Sequence, residues 1–180
     1  MPEQEQAALF PNTAVPDEFS GYRGPTACQA ARITYRQLDY WARTDLVVPT
    51  VRGAKGSGSQ RLYSFKDILV LRVVKRLLDT GVSLQNIRVA VDHLRARGVE
   101  DLAGVTLFSD GTTVYECTSP EEIVDLLQGG QGVFGIAVSG AMQEISGTIH
   151  EFPAERADGG IVEAHQPDEL TQRRNARRTG

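Results

Sequence analysis

The chain has 180 residues, of which 41% are hydrophobic and 23% charged, and its formal net charge is -4. This length predicts one domain or two small ones, and the composition excludes a fully disordered chain. The apolar runs are only a few residues long, whereas a helix needs roughly 20 apolar residues to cross a bilayer, so a membrane protein is excluded as well.

The cysteine count and the first residues predict a cytoplasmic protein. Residues 1–20 contain four acidic residues and no Lys or Arg, so they lack the basic start of a secretory signal peptide. Cys28 and Cys117 are too few for a disulfide scaffold or a zinc site with four cysteine ligands. We therefore expect no metal and no membrane partner.

Charge is distributed unevenly along the chain. Residues 1–20 carry -4, residues 21–98 carry +9, residues 99–152 carry -9 and residues 153–180 carry no net charge. A basic half of this kind is typical of a protein that faces a polyanion. The alternative is that solvated faces differ in charge by chance, but the changes of sign coincide with changes in sequence pattern.

The two ends of the chain lack the periodicity of folded elements. Residues 1–20 are interrupted by Pro2, Pro11 and Pro16, and they predict a flexible arm. Residues 153–180 are polar and contain four arginines near their end, and they predict a disordered tail. These arginines either contact nucleic acid loosely or keep the tail soluble.

Two short helices with a tight turn between them are predicted next. The first covers about 25–31 and has its proline early, where a missing amide hydrogen costs nothing. Thr34 begins the second helix, about 35–43, because Gln37 three residues later completes a capping box. Helix, short turn and helix within this length is the layout of a helix-turn-helix.

The following segment, residues 47–63, predicts a β-hairpin that we call the wing. Two β-prone runs flank a loop over 53–59 that consists mostly of glycine and serine. A backbone this rich in glycine can approach a phosphate closely. The positive charges at the edges of the loop are Arg52, Lys55 and Arg61.

Two longer helices complete the basic half. Ser64 and Asp67 form a capping box for a helix that runs to about residue 80 and stops at Gly81. Ser83 caps the next helix. Both have apolar residues at the i, i+3, i+4, i+7 spacing of a buried stripe, and part of the stripe on the later helix is an alternative dimer contact.

After residue 98 the hydrophobic period changes from 3.6 to 2. The acidic segment predicts a hairpin around Asp110-Gly111, a helix from 120 to about 128, a strand over 133–138 and a helix from Ser139. With a two-residue turn, Leu107 faces Val114. The expected fold class is α+β, with a winged helix-turn-helix over 21–98 and a small α+β module over 99–152.

Three blocks of sequence resemble the MerR family of bacterial transcription regulators. They are LDYW at 38–41, QRLYS at 60–64 and LLDTGVSLQNI at 77–87. The resemblance covers about 22–97 and implies a winged helix-turn-helix that binds promoter DNA as a dimer. Two later blocks, 114–117 and 130–135, resemble an actinobacterial branch of the family, in which some members are linked to growth and cell-division control.

The sequence departs from the family pattern at three places. Asp39 stands where the family usually has an arginine that contacts DNA, and its charge repels phosphate unless it orients Arg36 or Arg43. Arg32 stands where the turn usually has glycine. No heptads follow residue 98, where the family usually continues into a coiled-coil helix, so we assign dimerisation to 99–152.

The expected DNA contacts lie on the second predicted helix and on the wing. Side chains near the N-terminus of a helix in the major groove read base edges, and Arg36 can bind guanine in a bidentate manner. Tyr40 resembles the family tyrosine that binds the phosphate backbone, while Leu38 and Trp41 are expected in the core. Arg43 is either a phosphate ligand or a solvated charge. The full set of expected contacts is Thr34, Tyr35, Arg36, Tyr40, Arg43, Arg52, Lys55 and Arg61.

The predicted function is sequence-specific regulation of transcription by a nucleoid-associated homodimer on a near-palindromic promoter site, with growth or cell-division genes as expected targets. RNA polymerase is a candidate partner. The alternative is an interaction adaptor with weak, nonspecific DNA binding, whose acidic module recruits a protein.

No catalytic residues and no cofactor are expected. Gly130, Gly132 and Gly135 match the dinucleotide fingerprint, but a helix precedes them and a strand follows, the reverse of what that site needs.

Overall fold

The computed structural model describes residues 19–53, 60–128 and 132–162. Helices and strands alternate irregularly along these ranges, and all the strand pairs are antiparallel. In chain order the elements are β1 (Ser20–Arg23), α1 (Gly24–Ala31), α2 (Tyr35–Arg43), β2 (Leu62–Tyr63), α3 (Phe65–Asp79), α4 (Leu84–Ala96), α5 (Val99–Leu102), β3 (Thr106–Ser109), β4 (Val114–Cys117), α6 (Pro120–Gln128), β5 (Phe134–Ala137), α7 (Val138–Ile149), β6 (Ala154–Arg156) and β7 (Ile161–Val162). The α+β fold class is confirmed.

The predicted helix-turn-helix is formed by α1 and α2. The Thr34 hydroxyl accepts a hydrogen bond from the Gln37 amide at 3.2 Å, and the Gln37 side chain accepts one from the Thr34 amide at 3.0 Å, so the capping box is confirmed. Arg32 ends α1 in the left-handed region at φ 56. A side chain there costs about 1 kcal/mol compared with glycine.

The predicted start and end of α3 are also confirmed. The Ser64 hydroxyl accepts from the Asp67 amide at 3.0 Å, and the Asp67 carboxylate accepts from the Ser64 amide at 2.9 Å. Gly81 follows the helix with φ 89, a conformation that favours glycine.

Within the described residues, one hydrophobic core joins the basic and acidic segments. Helix α7 packs against α1 and α3, and Ala141, Ile145 and Ile149 of α7 are buried in the same cluster as Leu38 and Trp41 of α2. The change of pattern near residue 98 therefore separates two charge regimes but not two cores. None of the helices in the described ranges has the length and apolarity needed to cross a membrane.

Within the described residues, the wing contains less regular strand structure than predicted. Strand β2 is only two residues long and pairs with β1, with Tyr22 opposite Tyr63. Within the described part of the wing, the earlier β-prone run contributes only an isolated bridge between Arg52 and Leu62. Strand β1 can lie this close to β2 because Gly21 has no side chain. A Cβ atom added at Gly21 would lie 2.8 Å from the Leu62 Cβ atom. Residues 54–59, including Lys55, lie outside the described residues.

The predicted register of the acidic hairpin is wrong. Ser109 lies opposite Val114 and Leu107 opposite Glu116, so the turn has four residues rather than two. The side chain of Asp110 closes this longer turn, since its Oδ1 atom accepts hydrogen bonds from the amides of Thr112 at 2.9 Å and Thr113 at 2.7 Å.

The expected disordered tail begins with ordered structure. Strand β6 pairs with β1, with Gly21 opposite Glu155, and β7 pairs with β6. The expectation of disorder from residue 153 is therefore corrected for 154–162. Sequence patterns missed this pairing because the partner strand, β1, lies more than 130 residues earlier in the chain. Without β6, one side of β1 would be an open sheet edge. Residues 1–18 and 163–180 lie outside the described residues.

Candidate nucleic-acid interface

Helix α2 has one buried face and one exposed face. Leu38 and Trp41 are buried, as predicted, and they fix the helix on the core. Tyr35, Arg36 and Tyr40 are exposed on the outer side. The Thr34 hydroxyl serves as the helix cap, so this predicted contact has a structural role at the N-terminus of the same helix.

The carboxylate of Asp39 joins α2 to the wing. Its Oδ1 atom accepts a hydrogen bond from the Arg61 Nη1 atom at 2.9 Å, and its Oδ2 atom lies 2.9 Å from the Arg43 Nε atom. We call these three residues the Asp39 cluster. The cluster brings together two of the predicted DNA contacts, one from the end of α2 and one from the residue directly before β2.

The Asp39 cluster resolves the question that the sequence raised about this aspartate. Orientation of Arg43 was one of the two alternatives, and the structure has that contact. The second partner is Arg61 rather than Arg36. Sequence reasoning missed Arg61 because the two residues lie 22 positions apart, and only the fold of the wing brings them together.

The base of the wing is held by Arg52 and its neighbours. The backbone groups of Arg52 and Leu62 exchange two hydrogen bonds, and the Arg52 Nε atom donates to the Gln60 carbonyl at 2.8 Å. Arg52 therefore lies at the point where the loop leaves the folded body. Lys55 was predicted to extend this basic edge, and it lies outside the described residues.

Comparisons with known proteins agree with this geometry. The family model described as "MerR HTH family regulatory protein" matches residues 22–94, which run from within β1 to the last turn of α4. Proteins named as uncharacterized HTH-type transcriptional regulators from Mycobacterium bovis and from Mycobacterium tuberculosis strain H37Rv are each 75% identical over 172 residues, which is 96% of this chain and 76% of theirs. The chain belongs to the MerR family. It is a transcriptional regulator with a helix-turn-helix DNA-binding domain, and family and relatives alike indicate a regulator rather than an enzyme.

Part of the basic charge of this MerR-family protein is neutralised internally. Glu144 of α7 binds Arg72 at 3.0 Å and Arg76 at 2.7 Å, and Glu116 of β4 binds Arg97. These contacts tie the acidic segment to α3 and to the end of α4. The positive charge of residues 21–98 that is left unpaired is therefore smaller than the +9 of the sequence segment.

Other cations support the segment that follows α2. Arg88 donates to the Thr44 carbonyl at 2.9 Å, and Arg95 donates to the Val48 carbonyl at 3.1 Å. Both arginines lie on α4, so this helix fixes the connection between α2 and the wing. Their contacts with backbone carbonyls give them a structural role.

The two cysteines show no sign of activation. Cys28 is half-buried on α1 and Cys117 is buried at the end of β4, and burial raises the pKa of both thiols. A raised pKa keeps a thiol protonated and unreactive near neutral pH. In the ranges that the structure covers, no three His, Cys, Asp or Glu residues are grouped closely enough to hold a metal ion.

The Asp39 cluster is charged under ordinary conditions. The hydrogen bond from Arg61 is the main reason that the pKa of Asp39 lies below its usual value of 3.8, and the charge of Arg43 lowers it further. The same hydrogen bond raises the pKa of Arg61. The side chains of Asp39 and Arg61 are 27% and 20% exposed, so water screens this pair only in part.

We predict that Asp39→Asn lowers the free energy of unfolding at pH 7 and that its difference from the parent shrinks at acid pH. A carboxyl whose pKa is lowered by folding stabilises the fold above its unfolded pKa, and this contribution is lost as the pH falls through the lower folded pKa. Urea unfolding measured at pH 7 and below about pH 3 compares the two conditions.

Asp79→Asn is the matched control, because Asp79 pairs with Lys75 four residues earlier on exposed α3 surface. Such pairs contribute only about 0.3–0.5 kcal/mol. An equal difference between Asp39→Asn and the parent at both pH values would contradict an ionic role for Asp39.

Proposed function

We propose that this protein regulates transcription by binding a specific promoter site as a homodimer. In this proposal the first turn of α2 enters the major groove and the wing lies on the neighbouring phosphates. The observation that carries it is the Asp39 cluster, because it fixes Arg43 and Arg61 at one border of the exposed face of α2. Groups held in place before binding lose less conformational freedom when DNA arrives.

Arg36 is the residue that we assign to base recognition. It is exposed in the first turn of α2, and it forms no ion pair within the described residues. A guanidinium group at this position can bind the O6 and N7 atoms of guanine in the major groove. Tyr35 and Tyr40, both exposed on the same helix, offer hydroxyl groups to bases or phosphates.

Phosphate contacts are assigned to Arg43, Arg52 and Arg61, with Lys55 on the loop of the wing. Contacts of this kind fix the position of a protein on the duplex but carry no sequence information. The two arginines of the Asp39 cluster stay charged, but the carboxylate reduces the positive field that they present to the duplex. The carboxylate also fixes the direction in which their guanidinium groups point, which an arginine side chain without a partner lacks.

A single module of this size covers only part of the groove. Useful specificity comes from two modules related by a dyad, and this requires a near-palindromic site. We assign the dimer contact to 99–152, where Val124 of α6 and Phe134 of β5 are exposed apolar side chains. The stripe of α4 that was the alternative contact is buried in the core at Ile87, Val91 and Leu94, so an alternative contact on this helix would use Val89, which is exposed.

Regulation then follows from how the dimer holds the promoter. Bending and untwisting the spacer would help RNA polymerase to engage it, at a deformation energy that added phosphate contacts offset. Repression by occlusion of the promoter is the other outcome of the same binding. Control of growth or cell-division genes is proposed only on the resemblance to the actinobacterial branch.

The adaptor alternative rests on the acidic segment. Glu100, Asp101, Glu121 and Glu122 are exposed on α5 and α6, and a surface of this charge repels DNA and attracts basic partners. An adaptor with weak DNA binding has no preferred site. Selection of bound fragments from digested genomic DNA therefore distinguishes the two functions and supplies the site for further work.

We predict that Arg36→Ala and Lys55→Ala weaken binding in different ways. Loss of Arg36 should cost roughly 1–3 kcal/mol and relax specificity at one base pair, whereas loss of Lys55 should weaken all sequences alike and flatten the salt slope by about one unit. Fluorescence anisotropy with the selected duplex and a scrambled duplex measures both effects.

Lys75→Ala is the matched control for charge, because Lys75 lies on α3 in an ion pair with Asp79 and is not an expected contact. If the Arg36 and Lys55 variants bind as tightly as the Lys75 variant and the parent, the assigned face is wrong.

We predict that Val124→Glu dissociates the homodimer. A two-fold interface contains each substitution twice, so two buried charges should weaken association by at least about tenfold. Sedimentation equilibrium measures the dimer dissociation constant. Val89→Glu is the matched variant on α4, and dissociation by this change alone would move the contact from 99–152 to α4.

A further inference from the structure

Strand β6 brings a carboxylate to the arginines at the base of the wing. The Glu155 Oε1 atom lies 2.5 Å from the Arg23 Nε atom, and the Glu155 Oε2 atom lies 3.8 Å from the Arg52 Nη2 atom. The side chain of Glu155 is only 13% exposed, whereas that of Arg23 is about half exposed. The acid is thus held within the fold and its partners reach the surface.

The backbone determines this placement. Strands β1 and β6 pair with Ser20 opposite Arg156 and Gly21 opposite Glu155. Arg23 follows Gly21 by two residues on β1, so the Glu155 side chain reaches it diagonally across the two strands. The bare Cα atom of Gly21 lets β1 lie close to Leu62 and Val51 of the wing. Three segments far apart in sequence therefore meet at one point: β1, the wing and the hairpin of β6 and β7.

A carboxylate and a DNA phosphate compete for the same guanidinium donors. Both are anions that accept short, charge-assisted hydrogen bonds from arginine. Near a phosphate-binding surface, a fixed negative charge also reduces the positive field that attracts the duplex. Asp39 has the same electrostatic effect, but it orients Arg43 on α2, the helix that we place in the major groove. The partner of Glu155, Arg23, lies on β1 instead.

We propose that Glu155 is a positioning residue that restrains Arg23 and Arg52 and thereby lowers the affinity of the protein for DNA phosphates. The proposal rests on the function proposed above, in which Arg52 contacts the duplex. It adds Arg23 as a second phosphate ligand at the base of the wing. It also makes the β6–β7 hairpin a restraint on DNA binding, because displacement of β6 from β1 would release both arginines.

The variant Glu155→Gln tests the proposal, because glutamine keeps an oxygen acceptor and the size of the side chain but loses the charge. We expect the slope of log K against log salt to steepen by about one unit, and binding at about 0.1 M salt to tighten roughly threefold to tenfold, on specific and scrambled duplexes alike. Thermal unfolding verifies that the variant is folded.

Glu151→Gln is the control for a change of net charge alone. Glu151 precedes β6 by three residues, its side chain is 76% exposed, and its Oε1 atom lies 3.9 Å from the His150 Nε2 atom. A gain by Glu155→Gln that disappears in a background of Arg23→Gln and Arg52→Gln assigns the effect to these two arginines. Equal binding by the Glu155 and Glu151 variants, or weaker binding by Glu155→Gln, overturns the proposal.

Glu155→Asp serves if the glutamine variant does not fold. It retains the charge but withdraws the carboxylate by one methylene group, so the salt slope should steepen by less than one unit. An unchanged slope overturns the proposal. Absence of DNA binding by the parent protein would instead overturn the proposed function, so the two failures are distinguishable.

Discussion

The geometry of the proposed DNA-binding face depends on one shared carboxylate. Asp39 binds Arg43 on its own helix and Arg61 at the edge of the wing, both at 2.9 Å, and so it sets the wing against α2. An acidic residue near a polyanion has an electrostatic cost. In the proposed complex that cost is offset by the direction that Asp39 gives to two arginines, while Leu38 and Trp41 anchor the opposite side of the helix in the core.

The same pairing of acids with arginines organises the rest of the molecule. Glu144 ties α7 to α3, Glu116 ties β4 to the end of α4, and Glu155 ties β6 to β1 and the wing. The opposite charges of the two halves of the sequence are therefore in part an internal complement. Within the described residues, Arg36 on the exposed side of α2 forms no ion pair and remains available to a polyanion.

The elements that could be predicted from the sequence are those specified by near neighbours. The capping boxes at Thr34 and Ser64 and the stop at Gly81 depend on residues within a few positions, and each is present. The prediction of the register of the acidic hairpin was wrong because the side chain of Asp110 closes a longer turn than the Asp-Gly pair alone predicts. The pairing of β1 with β6 and the contact of Glu155 with Arg23 join segments more than 130 residues apart, and no local pattern encodes them.

Hydroxyl-radical footprinting of the protein on its selected genomic fragment, at low ionic strength, tests the central claim most directly. We expect two protected stretches on one face of the duplex, related by a dyad and separated by a whole number of helical turns of about 10 base pairs. Protection should fade as salt is added, because phosphate contacts release counterions. Uniform cleavage along every fragment, even at low salt, would contradict the claim that α2 and the wing together grip a specific site.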